Sequence, residues 1–217
     1  MTKAEKRAAV GGFLWIVAVV QYFVAQVAVA SQWRTPYSWW DNYISDLGNT
    51  ACGRFMGNYV CSPLAGAMNA SFIIAGLLTV AGVGLMGSVW PPTSMASLGV
   101  LLWILAGAGQ VLVGAAPENE DLPLHLIGAL NLPVGSVAIL LLGLASRRTG
   151  LGLFGIVLAV VGLVGTTLSI FAPDLVGVGG AERLAGYPGD LWLLVVGAAA
   201  LLPRPEPASA EVLTKMA

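Results

Sequence analysis

Charge is what this chain of 217 residues has least of: 10% of it is Asp, Glu, Lys or Arg, against 57% hydrophobic residues. A soluble domain carries about 25% charged residues, so a surface wetted on every side is excluded. Basic and acidic residues nearly cancel, for a formal net charge of −1. No basic surface for nucleic acid follows. Histidine occurs once, which excludes bis-histidine haem ligation. No lysine falls inside an apolar run, which excludes a retinal Schiff base. Walker, CxxC and HExxH motifs are absent, and with them the nucleotide, dithiol and zinc-protease chemistry they signal. A zinc ion would draw most of its ligands from carboxylates, an unusual set, so no cofactor is implied. The apolar runs are continuous rather than alternating, which sets strands aside.

Those runs are what the chain has most of. Several approach 20 residues, the length of helix that crosses a ~30 Å hydrocarbon core. Six spans are expected, at residues 10–30, 63–87, 95–116, 122–145, 150–172 and 187–203. The fold class is all-α: a polytopic membrane protein built as a six-transmembrane-helix bundle. Lys3, Lys6 and Arg7 precede the first run as in a signal peptide. That run is too long for one and no clear cleavage site follows, so a retained helix is expected. Residues 1–9 form a short N-terminal segment, 10–203 one membrane domain, and 204–217 a Pro-rich polar tail expected to be disordered. Lys3, Lys6, Arg7, Arg147, Arg148, Arg204 and Lys215 fall on one side of the spans, and Arg34, Arg54 and Arg183 on the other. The positive-inside rule then puts both termini in the cytoplasm of a cell-membrane protein. Glycine-rich faces such as "GLGLFGIVLAVVGLVG" let helices approach closely, within the chain or between copies in a homo-oligomer.

The outer connections hold the chemistry. Cys52 and Cys61 both lie in the loop 31–62, in a space where a disulfide is permitted; two free thiols at an interface are the other reading. The stretch "WWDNYISDLGNTACG" mixes interfacial aromatics with a Ser45-Asp46-Leu47-Gly48 unit. That unit is either a capped loop or the mouth of a site. "APENEDLPLHLIGALN" carries Glu118 out of the third span and His125 into the fourth. His125, close in sequence to three carboxylates, is either a structural residue or a general base with Asp46 or Glu118 orienting it. Glu182-Arg183 precedes the last expected span; Arg183 would pair with an acid or hold an anionic headgroup through two N–H groups. Ala116-Pro117-Glu118 and Ala172-Pro173-Asp174 form a faint repeat at the ends of the third and fifth spans.

Depth matters as well. Gln21, Gln26, Asn69, Gln110, His125, Asn131, Thr166, Thr167, Ser169 and Asp190 fall in the outer halves of their spans; Thr79, Ser97 and Ser136 fall in the inner halves. Such groups serve either as interhelical glue, worth about 0.6 kcal/mol each, or as the lining of a cavity. Their bias to one leaflet favours an outward-facing polar pocket sealed from inside. The candidate site is then His125, Asp46 and Glu118 as catalytic groups, with Arg183, Asn69, Gln110, Glu182 and Ser45 binding a ligand.

The motifs "NYISDLG", Asn69, Pro117-Glu118, His125 and "ERLAGYPGDLW" resemble the bacterial six-span membrane proteins of domain of unknown function 998, over about residues 10–200. The ISDLG element with the histidine also looks like the Frag1/DRAM/Sfk1 family, which implies a connection with lipid handling. The first resemblance implies the architecture and this site rather than a reaction. The function expected is a lipid-handling protein that binds or processes an amphiphile from the outer leaflet, with membrane lipid as its partner and His-assisted hydrolysis or acyl transfer as its chemistry. The alternative is a non-catalytic transporter subunit or a scaffold that binds a partner through its outer loops.

Overall fold

The computed structural model describes residues 1–202. The tail expected at 204–217 lies outside the described residues, as does residue 203. Seven helices carry the fold: α1 Lys3–Ala30, α2 Ala65–Leu85, α3 Ser94–Ala115, α4 Leu122–Ala129, α5 Asn131–Ala145, α6 Gly150–Phe171 and α7 Val178–Leu201. With α4 and α5 taken together, six helical segments are long and apolar enough to cross a membrane. The loop between α1 and α2 lies at one end of the bundle, the loop face. The ends of α1 and α7 meet at the other, the terminal face, where Met1 and Glu5 line a hollow with Ala199 and Leu202.

Each span packs on the next along the chain, and α1 against α7 closes the ring. Small residues make the closure possible: a Cβ on Gly12 would lie 2.5 Å from the Gly197 carbonyl oxygen. The α6 glycines are used in the same way, with Gly155 against Trp192, Gly162 against Ser136 and Gly165 against the α7 backbone at Leu184. Large apolar residues such as Phe13, Val24, Leu105, Val157 and Phe171 stay exposed around the outside, as a lipid-facing belt requires.

Three departures from the sequence reading have local causes. The fourth span is broken at Leu130, between α4 and α5. Pro133 lacks the N–H that would bond the Ala129 carbonyl, and its ring crowds that oxygen. The last helix begins at Val178 rather than 187 and runs through Pro188. Gly186, Pro188 and Gly189 read as a loop, but such residues are tolerated in membrane helices because neighbouring helices re-satisfy the backbone. Glu182 and Arg183 are therefore on a helix. Finally, the loop 31–62 holds a small antiparallel hairpin, Gly53–Phe55 (β1) with Asn58–Val60 (β2). Its two-residue turn, Met56-Gly57, has positive φ at both positions, the geometry that suits a twisted hairpin. A Cys52–Cys61 disulfide closes it.

Two cores fill the ring. On the terminal side Trp192 stacks between Trp90 and Trp103, each at 5.5 Å, and Trp15 leans on Trp103 and Trp192. On the loop side Leu47 and Ile44, from the loop itself, pack with Tyr22, Met68 and Phe72.

Candidate functional site

The loop folds inward onto the helices. Its centre is a single 3₁₀ turn, Ser45–Gly48, in which all four residues are buried. Asp46 holds the turn from inside by accepting from the Tyr43 N–H at 2.9 Å and the Asn42 amide at 3.2 Å. Two further ties dock it: Ser62 donates to the Leu47 carbonyl at 2.7 Å and Asn69 to the Gly48 carbonyl at 2.8 Å. A Cβ at Gly48 would meet the Asn69 Oδ1 at 2.3 Å, so this close approach requires glycine. Asn69 is thus occupied in fastening the turn.

Arg183 is a second fastener. It donates to the carbonyls of Trp39, Asn42 and Gly179 at 2.8–2.9 Å and to the Tyr37 hydroxyl, and its guanidinium lies over the Tyr37 and Trp39 rings. Among the described residues it makes no ion pair; the salt bridge found there joins Met1 to Glu5. The expected pairing of Arg183 with an acid is therefore corrected. The loop backbone between residues 37 and 42 supplies carbonyls to Nη1 in the place a carboxylate was expected, while the buried Nε has no partner among the described residues.

Glu118 and Asp46, both buried, share a hydrogen bond between carboxyl groups. The turn after α3 brings Glu118 there, and it is held to the loop by Asn119, which accepts from the Thr50 N–H at 3.1 Å. Burial, then the neighbouring Asp46 charge, push the Glu118 carboxyl up from 4.5 to about 9. Burial also raises Asp46, against its hydrogen bonds from Glu118, Asn42 and Tyr43. Glu118 Oε1 is buried and finds no donor. A carboxyl oxygen in that position has to bring its own proton, so near neutral pH Glu118 is the protonated member and donates to Asp46.

His125 is buried, one turn into α4, whose first turn Asp121 caps at 3.0 Å from the Leu124 N–H. Its Nδ1 lies 2.8 Å from the Ala116 carbonyl, and its Nε2 3.0 Å from Ser45 Oγ. A carbonyl only accepts, so Nδ1 carries a hydrogen. The ring is oriented by the C-terminus of α3, not by Asp46 or Glu118 as expected; α3 ends at Ala115 and leaves the Ala116 carbonyl within reach. Ser45 Oγ also lies 3.1 Å from Glu182 Oε1, while Glu182 Oε2 accepts from the Ile44 N–H. Ser45, His125 and Glu182, from the loop, α4 and α7, thus form one chain of hydrogen bonds. Asp46 and Glu118 lie beside it as a second pair.

Beneath this roof is a cavity of about 90 Å³ inside the ring. That is room for several waters, or for the polar end of a larger molecule. Ser45 and Glu182 face it at the loop end; Gln110, Asn131, Asp190 and Ser136 line it further in. Gln110 accepts a hydrogen bond from Asn131, at the level where Pro133 interrupts the fourth span. Asp190, two turns below Glu182, makes no hydrogen bond with the described residues. Trp103 and Leu193 are among its walls, and the tryptophan stack fills the bundle towards the terminal face. Among the described residues no Lys or Arg lines the cavity. Among the described residues no three His, Cys, Asp or Glu are grouped to hold a metal ion.

Of the candidates, Ser45, Asp46, Glu118, His125 and Glu182 converge under the loop. Gln110 lies deeper in the cavity, and Asn69 and Arg183 serve the scaffold. The sequence reading missed Asp190 and Ser136 as neighbours in one cavity; their signal, polar side chains inside apolar spans, was visible without a partner to join them. It also gave no role to Tyr37 and Asn42, which hold Arg183 and Asp46.

No curated protein and no solved structure matches the chain. The family model described as "Protein of unknown function (DUF998)" matches residues 16–199, through all six spans, and the chain belongs to that family.

Proposed function

We propose that this multi-pass protein binds an amphiphile from the surrounding membrane, with the polar end of the ligand inside the ring between Ser45 and Asp190. The observation that carries this reading is Asp190: a carboxyl group facing a largely apolar cavity, with no hydrogen bond from the described residues. Ionisable groups in a membrane are costly and are kept where a pathway or ligand uses them. With Glu182, the Gln110–Asn131 pair and no cation among the described residues of the lining, the cavity suits a neutral or positive head that donates hydrogen bonds. A hydroxyl or an amine meets that need; a phosphate does not. The stacked Trp90, Trp192 and Trp103 stand between the cavity and the terminal face, which favours a dead-end site over a path through the protein. The Lys and Arg bias orients the loop face outward, so the ligand would come from the outer leaflet.

Native mass spectrometry in a neutral detergent tests this with three probes of equal chain length: dodecylamine, dodecanol and dodecyl phosphate. Adducts are expected with the first two and are expected to be lost in Asp190→Leu. Equal or stronger retention of the phosphate, or adducts indifferent to Asp190→Leu, would overturn the reading.

A further inference from the structure

We infer that Ser45 is a nucleophile activated by His125, and that the amphiphile is an acyl ester that keeps a free hydroxyl for the cavity's acceptors and whose carbonyl carbon meets Ser45 Oγ at the roof of the cavity. This rests on the cavity being an amphiphile site. Ser45 Oγ has one hydrogen and lies within hydrogen-bonding distance of two groups, His125 Nε2 at 3.0 Å and Glu182 Oε1 at 3.1 Å. His125 Nδ1 already donates to the Ala116 carbonyl. Two arrangements satisfy all these contacts. In one, Glu182 is protonated on Oε1 and donates to Ser45, which donates to Nε2. In the other, an imidazolium donates to Ser45, which donates to an ionised Glu182. His125 is buried, and a charged imidazolium there is costly. The neighbouring Arg183 favours charge on Glu182, but the second arrangement also needs a buried imidazolium; the neutral one avoids it and points the serine proton at an imidazole nitrogen free to receive it.

This is the contact a serine nucleophile needs: hydroxyl and base within about 2.6–3.2 Å, with the base oriented by a third group. Here the third group is a backbone carbonyl. Ser45 lines the cavity, so an ester bound there lies against it. In the first step the Oγ lone pair forms a bond to the acyl carbon and the hydroxyl proton passes to Nε2. Collapse of the tetrahedral species breaks the ester C–O bond, and the departing oxygen takes that proton from Nε2 and leaves as an alcohol. The acyl group stays on Ser45. A water or a second alcohol then gives its proton to Nε2, attacks the acyl carbon and releases Ser45, which recovers the proton. Water makes this a hydrolysis and an alcohol makes it an acyl transfer.

The test is labelling of the full-length protein in detergent with a long-chain alkyl fluorophosphonate, read by peptide mass spectrometry. A covalent adduct on Ser45 is expected. It should be absent in Ser45→Ala and slowed about 100-fold or more in His125→Gln, the lower end of what a general base contributes. The wild-type result needs no variant to fold, and the melting temperature of His125→Gln separates lost activation from lost structure. If Ser45 takes no label in protein that still retains dodecylamine or dodecanol, this inference fails and the binding reading stands. Labelling that is equally fast in a folded His125→Gln protein would also overturn it. Failure of both labelling and retention would remove both.

Discussion

Glu118 shows how much a single buried proton can report. Its carboxyl is raised from 4.5 to about 9, so between those values the folded chain holds a proton that the unfolded chain has lost. Stability from this group is full below about pH 4.5 and declines as pH rises towards 9, at up to about 1.4 kcal/mol per pH unit for one proton. The Asp46 shift has the same sign. Glu118→Gln keeps a donor towards Asp46 but cannot ionise. The melting temperature of the native protein should fall between pH 5 and pH 9, and that of the variant should fall markedly less. Parallel curves for the two proteins would mean that Glu118 is ionised in the fold and that the carboxyl pair is misassigned.

The 3₁₀ turn Ser45–Gly48 is the element on which the site depends, since it carries both Ser45 and Asp46. Its docking needs the absence of a side chain at Gly48, where a Cβ would lie 2.3 Å from Asn69 Oδ1. Gly48→Ala should therefore lift the turn and cost about 1–3 kcal/mol, the usual range for overpacking. Shortening the obstacle in Gly48→Ala/Asn69→Ala should recover part of that loss, although the bond to the Gly48 carbonyl goes with it. Thermal unfolding of the two variants checks this; a double variant less stable than the single one by the full cost of Asn69→Ala alone would show the two sites to be independent. Much of this element was legible beforehand. Ser45, Asp46 and Gly48 announce a tight polar turn, read as either a capped loop or the mouth of a site; that Ile44 and Leu47 bury it was not read. The partners were not legible. Asn69 and Ser62 fasten the turn from positions that only the packing of α2 under the loop brings near, and Arg183 found backbone carbonyls because a sequence displays side chains and hides them.

For the molecule as a whole, hydrophobic run length was a sufficient guide to the six spans, because the bilayer imposes one length on every helix. It failed where polarity and helix breakers suggested a loop. Val178 to Tyr187 is helical despite Glu182, Arg183 and three glycines, since its polar groups face the loop and the cavity rather than lipid. Charge bias indicates the orientation of the ring, and the disulfide makes that easy to test: with Cys52 and Cys61 joined and no free cysteine among the described residues, a single introduced thiol has no background. In intact cells, Arg148→Cys should resist an impermeant maleimide until the membrane is broken; rapid labelling from outside would reverse the topology. If the ring encloses a site for the polar end of an amphiphile, an experimental structure of the protein in native lipid will show it most directly. Density is expected between Ser45 and Asp190, with a donor atom within hydrogen-bonding distance of Glu182 or Asp190 and an apolar tail leading away from it. A cavity holding only water, with every ordered lipid confined to the outer belt, would contradict it.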